Sequence, residues 1–112
     1  MTSDVGSTGP TTTIRLAAAQ VNTTVGDIDG NARLIEEWIG RAQEQGAVLV
    51  AFPELTITGY PPEDLVLYDN FIAANRAALG RIAVTVGDIV ALVGFVDSDD
   101  GKLFNAAAVL HQ

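Results

Sequence analysis

The run Ile89-Val90-Ala91-Leu92-Val93-Gly94-Phe95-Val96 constrains this chain most, because none of its residues carries a polar side chain. It reads as a strand buried on both faces, and such a strand needs cover on both. No apolar run approaches the length of a membrane span. The remaining segments must therefore supply neighbouring strands and at least one covering layer.

They supply a recognisable order. Ile14 to Val21 reads as a strand, with Ile14, Leu16 and Ala18 alternating against Arg15, Ala17 and Ala19. Asn22 to Gly30 is a loop of turn-forming residues. Asp29 is the expected N-cap of a helix running to about Gln45. In it Ile35, Trp38, Ile39 and Ala42 share one stripe, which predicts that Trp38 is core. Glu37 and Arg41 form an i,i+4 pair, and Gly46 suits the position just past the helix end. Val48 to Phe52 is the next strand. Glu63 to Tyr68 is a short amphipathic piece. Asp69 is then expected to cap a second helix, about Asn70 to Val86, with Phe71, Ala74, Ala78, Ile82 and Val86 on its stripe and Gly87 at its end. Leu103 to Leu110 is the last strand. It joins Ile89–Val96 across Asp97-Ser98-Asp99-Asp100-Gly101-Lys102, where Asp-Gly is a hairpin signal. Those aspartates do not make a calcium loop, since the glycine offset is wrong and no glutamate closes it.

The order is β-α-β-α-β-β, an α/β pattern with a first parallel βαβ unit and an antiparallel hairpin. Two long helices can cover only one face of a four-stranded sheet. The expected fold is incomplete, and the chain reads as cut off.

With 112 residues the chain forms one domain at most. Its 14 acids against 6 bases, a net charge of −8, argue against nucleic acid, which needs basic patches. They argue equally against an anionic membrane surface. There is no cysteine, hence no disulfide, thiolate metal site or cysteine nucleophile within these residues. The single histidine, His111, excludes His-pair metal motifs. Residues 1–13 form a polar tail without a basic residue or apolar core, read as a disordered extension and not a signal peptide. The fold is expected in residues 14–112 and the location in the cytoplasm.

Phe52-Pro53-Glu54 carries the chemistry. Proline cannot donate a ladder hydrogen bond, so it closes the Val48–Phe52 strand. A carboxylate held there, beside a buried core, suits a general base. Alternatively Glu54 merely starts a solvated loop. The segment that follows, Leu55-Thr56-Ile57-Thr58-Gly59-Tyr60-Pro61-Pro62-Glu63-Asp64-Leu65, bears on that choice.

Together these residues resemble the nitrilase (carbon–nitrogen hydrolase) superfamily, and within it the N-terminal glutaminase domains of glutamine-dependent NAD+ synthetases. The likeness rests on Leu16-Ala-Ala-Ala-Gln-Val-Asn22, Val25-Gly26-Asp27 with Gly30-Asn31, and Phe52-Pro-Glu-Leu55. It continues through Thr58-Gly-Tyr-Pro-Pro-Glu-Asp-Leu65 and Asn105-Ala-Ala-Ala-Val-Leu110. It implies a four-layer α-β-β-α sandwich of which this chain supplies part. It also implies a catalytic Glu, Lys and Cys in that chain order. The cysteine attacks the amide carbonyl and ammonia leaves as an acyl-enzyme forms. The glutamate takes the thiol proton and later activates water, and the lysine stabilises the oxyanion.

By that resemblance Glu54 is the general base, and Tyr60 matches a tyrosine near the glutamine pocket. Tyr60 reads equally well as a packed loop aromatic. Pro61 and Pro62 shape the loop, and Glu63 and Asp64 suit a helix start. The family lysine follows the strand on which this chain ends, and the cysteine lies further on. Lys102 and His111 are therefore not catalytic, and the chain alone should be inactive. The implied substrate is glutamine. A following ATP-using domain would take the ammonia to amidate deamido-NAD, so ATP and Mg belong to the complete protein, itself expected to be a homo-oligomer, and no cofactor to this chain. Two other readings stand beside this one: part of another nitrilase-type amidase, or a short non-catalytic protein that binds through an exposed sheet edge.

Overall fold

A computed structural model describes residues 12–112. The expected tail 1–13 lies, but for its last two residues, outside the described part. The elements are β1 (Leu16–Ala18), α1 (Ile28–Glu44), β2 (Leu49–Ala51), a 3-10 turn (Glu63–Leu67), α2 (Asp69–Ala83), β3 (Val90–Asp99) and β4 (Lys102–Leu110). They form a four-stranded sheet in the order β1-β2-β3-β4. β1, β2 and β3 are parallel, and β3 and β4 form an antiparallel hairpin. The α/β class is as expected, with a second parallel connection through α2.

The helices cover one face of the sheet. Ala17, Val50, Ala91 and Leu110 lie in one register row across all four strands. They pack, with Val93 and Phe95, against Ile28, Ala32, Ile35 and Ile39 of α1 and Ala78 and Ile82 of α2. Ile35 and Ile82 are wholly buried. Burying a side chain of that size contributes roughly 1.5–3 kcal/mol. The opposite face is open. Alternation along the strands puts Leu16, Leu103 and Val109 there, each exposed, with Val90 and Leu92 half-buried between them. On that face β3 is covered at Gly94 and Val96, which are buried, while Val90 and Leu92 stay half-buried.

Local details correct several expectations. β1 is shorter than Ile14–Val21, and β3 runs three residues past Val96. The N-cap of α1 is Asp27, not Asp29, because the Asp27 carboxylate accepts from Gly30 N at 3.1 Å. Asp29 instead sits in the first turn, where an acid favours the helix dipole, and pairs with Arg81 at 3.1 Å. The end of α1 follows the expected glycine stop. Gly46 takes φ +81, Gly46 N donates to Gln43 O at 3.0 Å, and Ala47 N donates to Ala42 O at 3.0 Å. Trp38 is half-buried rather than core, with the Arg41 guanidinium 4.6 Å from its ring centroid. Its indole lets one side pack while the other meets water.

α2 ends at Ala83, short of Gly87, and its Tyr68 N-cap makes no side-chain cap bond. Its buried stripe is Ile72, Asn75, Ala78 and Ile82, displaced from the expected one. Ala74 is exposed. Asn75 explains the shift. It is fully buried, its Oδ1 accepts from Val96 N at 3.1 Å, and its Nδ2 donates to Val96 O at 2.6 Å. The side-chain amide thus replaces the backbone partner that β3 loses once β2 has ended. Asp100 and Gly101 both take positive φ, 51° and 77°, as a tight two-residue hairpin turn requires.

Candidate functional site

Phe52 N still donates to Leu92 O at 3.0 Å, and Pro53 then ends the pairing. From there the chain crosses β3. A Cβ on Gly94 would stand 2.5 Å from Leu55 N and 2.8 Å from Pro53 O. Only glycine lets the loop lie this close to the strand. Ile57 N donates to Gly94 O at 3.2 Å, and the Thr56 hydroxyl donates to Pro53 O. Leu55 is buried at φ +50, a left-handed conformation that non-glycine residues seldom adopt. It anchors the loop against Val96, Ile72 and Val66.

This path carries Glu54 over β3 to β4. Glu54 Oε2 accepts from Asn105 Nδ2 at 2.8 Å. Asn105 pairs with Val96, two positions along β3 from Gly94, so both lie on the open face of the sheet. Glu54 is exposed there, rather than enclosed beside the core as its position at a strand end suggests.

The far end of the loop is clamped from α1. Asn31, 2% exposed, donates from Nδ2 to Ile57 O and Thr24 O, both at 2.9 Å. Its Oδ1 accepts from Thr24 N at 2.9 Å. Gly26 N donates to Thr58 O at 2.9 Å. Gly59 takes φ +80 and packs so tightly that a Cβ would stand 2.6 Å from Val25 Cα. The Val25-Gly26-Asp27 and Gly30-Asn31 segments thus hold the Thr58-Gly59-Tyr60 turn. Every buried side-chain polar atom among the described residues has a partner.

Tyr60 follows this clamp and is 62% exposed. Among the described residues no side-chain hydrogen bond joins it to Glu54. Glu63 and Asp64 do begin a helix, the 3-10 turn. Lys102 lies at the start of β4 opposite Asp99, in the hairpin. His111 Nδ1 lies 3.3 Å from Ile89 O. Gly94, Asn31, Asn75 and Asn105 are site-building residues to which sequence reasoning assigned no role. A glycine inside an apolar strand was the available signal for Gly94.

The model of the carbon-nitrogen hydrolase family matches residues 15–112. The glutamine-dependent NAD(+) synthetase of Xanthomonas campestris pv. campestris is 45% identical over 101 residues, covering 89% of this chain and 18% of that protein. Among solved structures, a glutamine-dependent NAD(+) synthetase from Cytophaga hutchinsonii superposes with a TM-score of 0.85 at 31% identity, covering 89% of this chain and 17% of the other. An amidase from Nesterenkonia sp. superposes with a TM-score of 0.69 at 28% identity, covering 77% of this chain and 33% of the other. The chain therefore spans less than a fifth of the synthetases it matches. The sandwich half with its Pro53–Tyr60 loop across β3, and a family match from Arg15 to the last residue, lead to one conclusion: this chain belongs to the carbon–nitrogen hydrolase family.

Proposed function

We propose that residues 14–112 form the N-terminal part of the glutaminase domain of a glutamine-dependent NAD+ synthetase, which releases ammonia from glutamine for the ATP-dependent amidation of deamido-NAD. The observation that carries this is the 45% identity to a protein of that description over 89% of the chain. The Nesterenkonia amidase favours the general amidase reading less, at 28% identity and 77% coverage.

In this reading Glu54 is the general base. Its Oε1 takes the proton of a cysteine thiol as the sulfur attacks the amide carbonyl, gives it to the amide nitrogen as ammonia leaves, and later takes one from water. Oε2 stays engaged with Asn105. The cysteine lies outside these residues, which contain none, so the chain by itself is inactive. Tyr60, exposed at the end of the clamped loop, is assigned to the glutamine pocket. ATP and Mg are assigned outside the described residues. No group of three or more His, Cys, Asp or Glu is placed to hold an ion among them, and the sequence lacks a glycine-rich phosphate loop. Both belong to another part of a complete homo-oligomeric enzyme. No helix among the described residues is long and apolar enough to cross a membrane. The assigned location is the cytoplasm, with neither nucleic acid nor membrane as a partner.

The test is a chimera in which residues 14–112 replace the matching segment of the Xanthomonas synthetase. The reading predicts NAD+ formation with glutamine as nitrogen source. A chimera that folds and uses free ammonia, yet never glutamine, would contradict it.

A further inference from the structure

We propose that Asn105 is the positioning residue of the glutaminase centre, holding the Glu54 carboxylate in the orientation that leaves Oε1 to move protons. The catalytic role of Glu54 rests on the reading above. The contact itself does not.

Glu54 is an exposed residue on a flexible side chain, and such a carboxylate samples many rotamers unless something fixes it. Its hydrogen bond to Asn105 Nδ2, at 2.8 Å, is its one side-chain partner among the described residues. An amide suits the task. It donates a directional bond to the carboxylate but cannot titrate, so it fixes the group without competing for the proton. A lysine there would add charge, and a carboxylic side chain would repel.

The donor is itself fixed. Asn105 sits opposite Val96 in the β3–β4 register. The Val96 backbone N–H and C=O are both bound by the buried Asn75 side chain, at 3.1 and 2.6 Å. Glu54 is held from the same strand, because its flanking residues Pro53 and Leu55 rest against Gly94. Base and donor are thus both registered on β3, two residues apart. That arrangement puts the pair on rigid strands, where a misplacement of about 1 Å can cost on the order of 100-fold in rate.

The experiment uses the synthetase chimera with Asn105→Ala, Asn105→Asp and Asn105→Gln. Asn105→Ala should lower kcat with glutamine on the order of 100-fold, while KM for glutamine and synthesis from free ammonia stay within about two-fold, as loss of an interaction made in the transition state requires. Asn105→Asp, nearly the same shape, should do no better than Ala. Asn105→Gln, which keeps the donor, should recover part of the rate. A crystal structure of the Asn105→Ala chimera should show the Glu54 carboxylate displaced. Full activity of Asn105→Asp would overturn the proposal, since shape alone would then suffice. So would a Glu54 carboxylate unmoved in the Asn105→Ala crystal. If the parent chimera uses ammonia but not glutamine, the glutaminase reading fails, and the crystal comparison alone decides whether Asn105 positions Glu54.

Discussion

Glu54 and Asn105 are 51 residues apart in the chain, yet their side chains meet at 2.8 Å on the open face of the sheet. The meeting depends on a loop that crosses β3 at Gly94 and on a hairpin register that pairs Asn105 with Val96. Neither residue reaches the other through local structure.

The crossing makes Gly94 the sharpest steric test. In Gly94→Ala the new methyl carbon meets Leu55 N at 2.5 Å and Pro53 O at 2.8 Å, both backbone atoms that cannot swing aside. The variant chimera should lose about 1–3 kcal/mol of stability, as overpacked sites do, and glutamine use with it. Denaturant unfolding and the glutamine-driven rate check this. An unchanged midpoint with full glutamine use would show that the loop does not lie on Gly94.

Asn31 tests the clamp. Asn31→Ala leaves the Ile57 carbonyl and the Thr24 N–H without their partner, while the Thr24 carbonyl keeps its bond from Asp27 N. The buried Ile57 carbonyl so orphaned costs about 1–3 kcal/mol. Limited proteolysis of the chimera should then cut first in residues 22–27 or 56–61. Cleavage unaltered at both segments would mean that the Asn31 bonds do not hold them.

Asn75→Leu keeps the volume of the buried side chain but removes both bonds to Val96. It should destabilise by at least about 1–3 kcal/mol, more than Ala74→Leu on the exposed neighbouring position. Thermal unfolding of the two variants gives the comparison. Equal melting temperatures would refute the role of Asn75 as a substitute strand partner.

How much of this was legible follows from where the information sits. Pro53 and the Asp100-Gly101 turn announce themselves because their constraint is intrinsic to the residue, and Gly46 past α1 likewise. The expected cap of α1 at Asp29 gave way to Asp27, because the Gly30 N–H bonds the Asp27 carboxylate. The α2 stripe was misplaced because Asn75 looks like a surface residue until β2 is seen to end opposite Leu92, four residues before Val96. Trp38 lies on the apolar stripe, but its ring also serves Arg41 at the surface. Asn105 was visible within a family-like segment. The Asp100-Gly101 turn sets the register that places Asn105 opposite Val96, but its use required the loop that carries Glu54 across β3, which no local pattern in the chain encodes.

The open sheet face bears on the isolated chain. Leu16, Leu103 and Val109 stand exposed on it, and large exposed apolar surface promotes association. Purified residues 1–112 should be poorly soluble or partly molten, with binding of an apolar dye such as ANS. A sharp cooperative melt without dye binding would contradict this.

The most direct measurement compares NAD+ formation from glutamine and from free ammonia in the Xanthomonas chimera carrying Glu54 or Glu54→Gln. The account predicts that Glu54→Gln abolishes glutamine use and spares synthesis from ammonia. Equal loss of both would make Glu54 a structural residue, and full retention of glutamine use would remove it from the chemistry altogether.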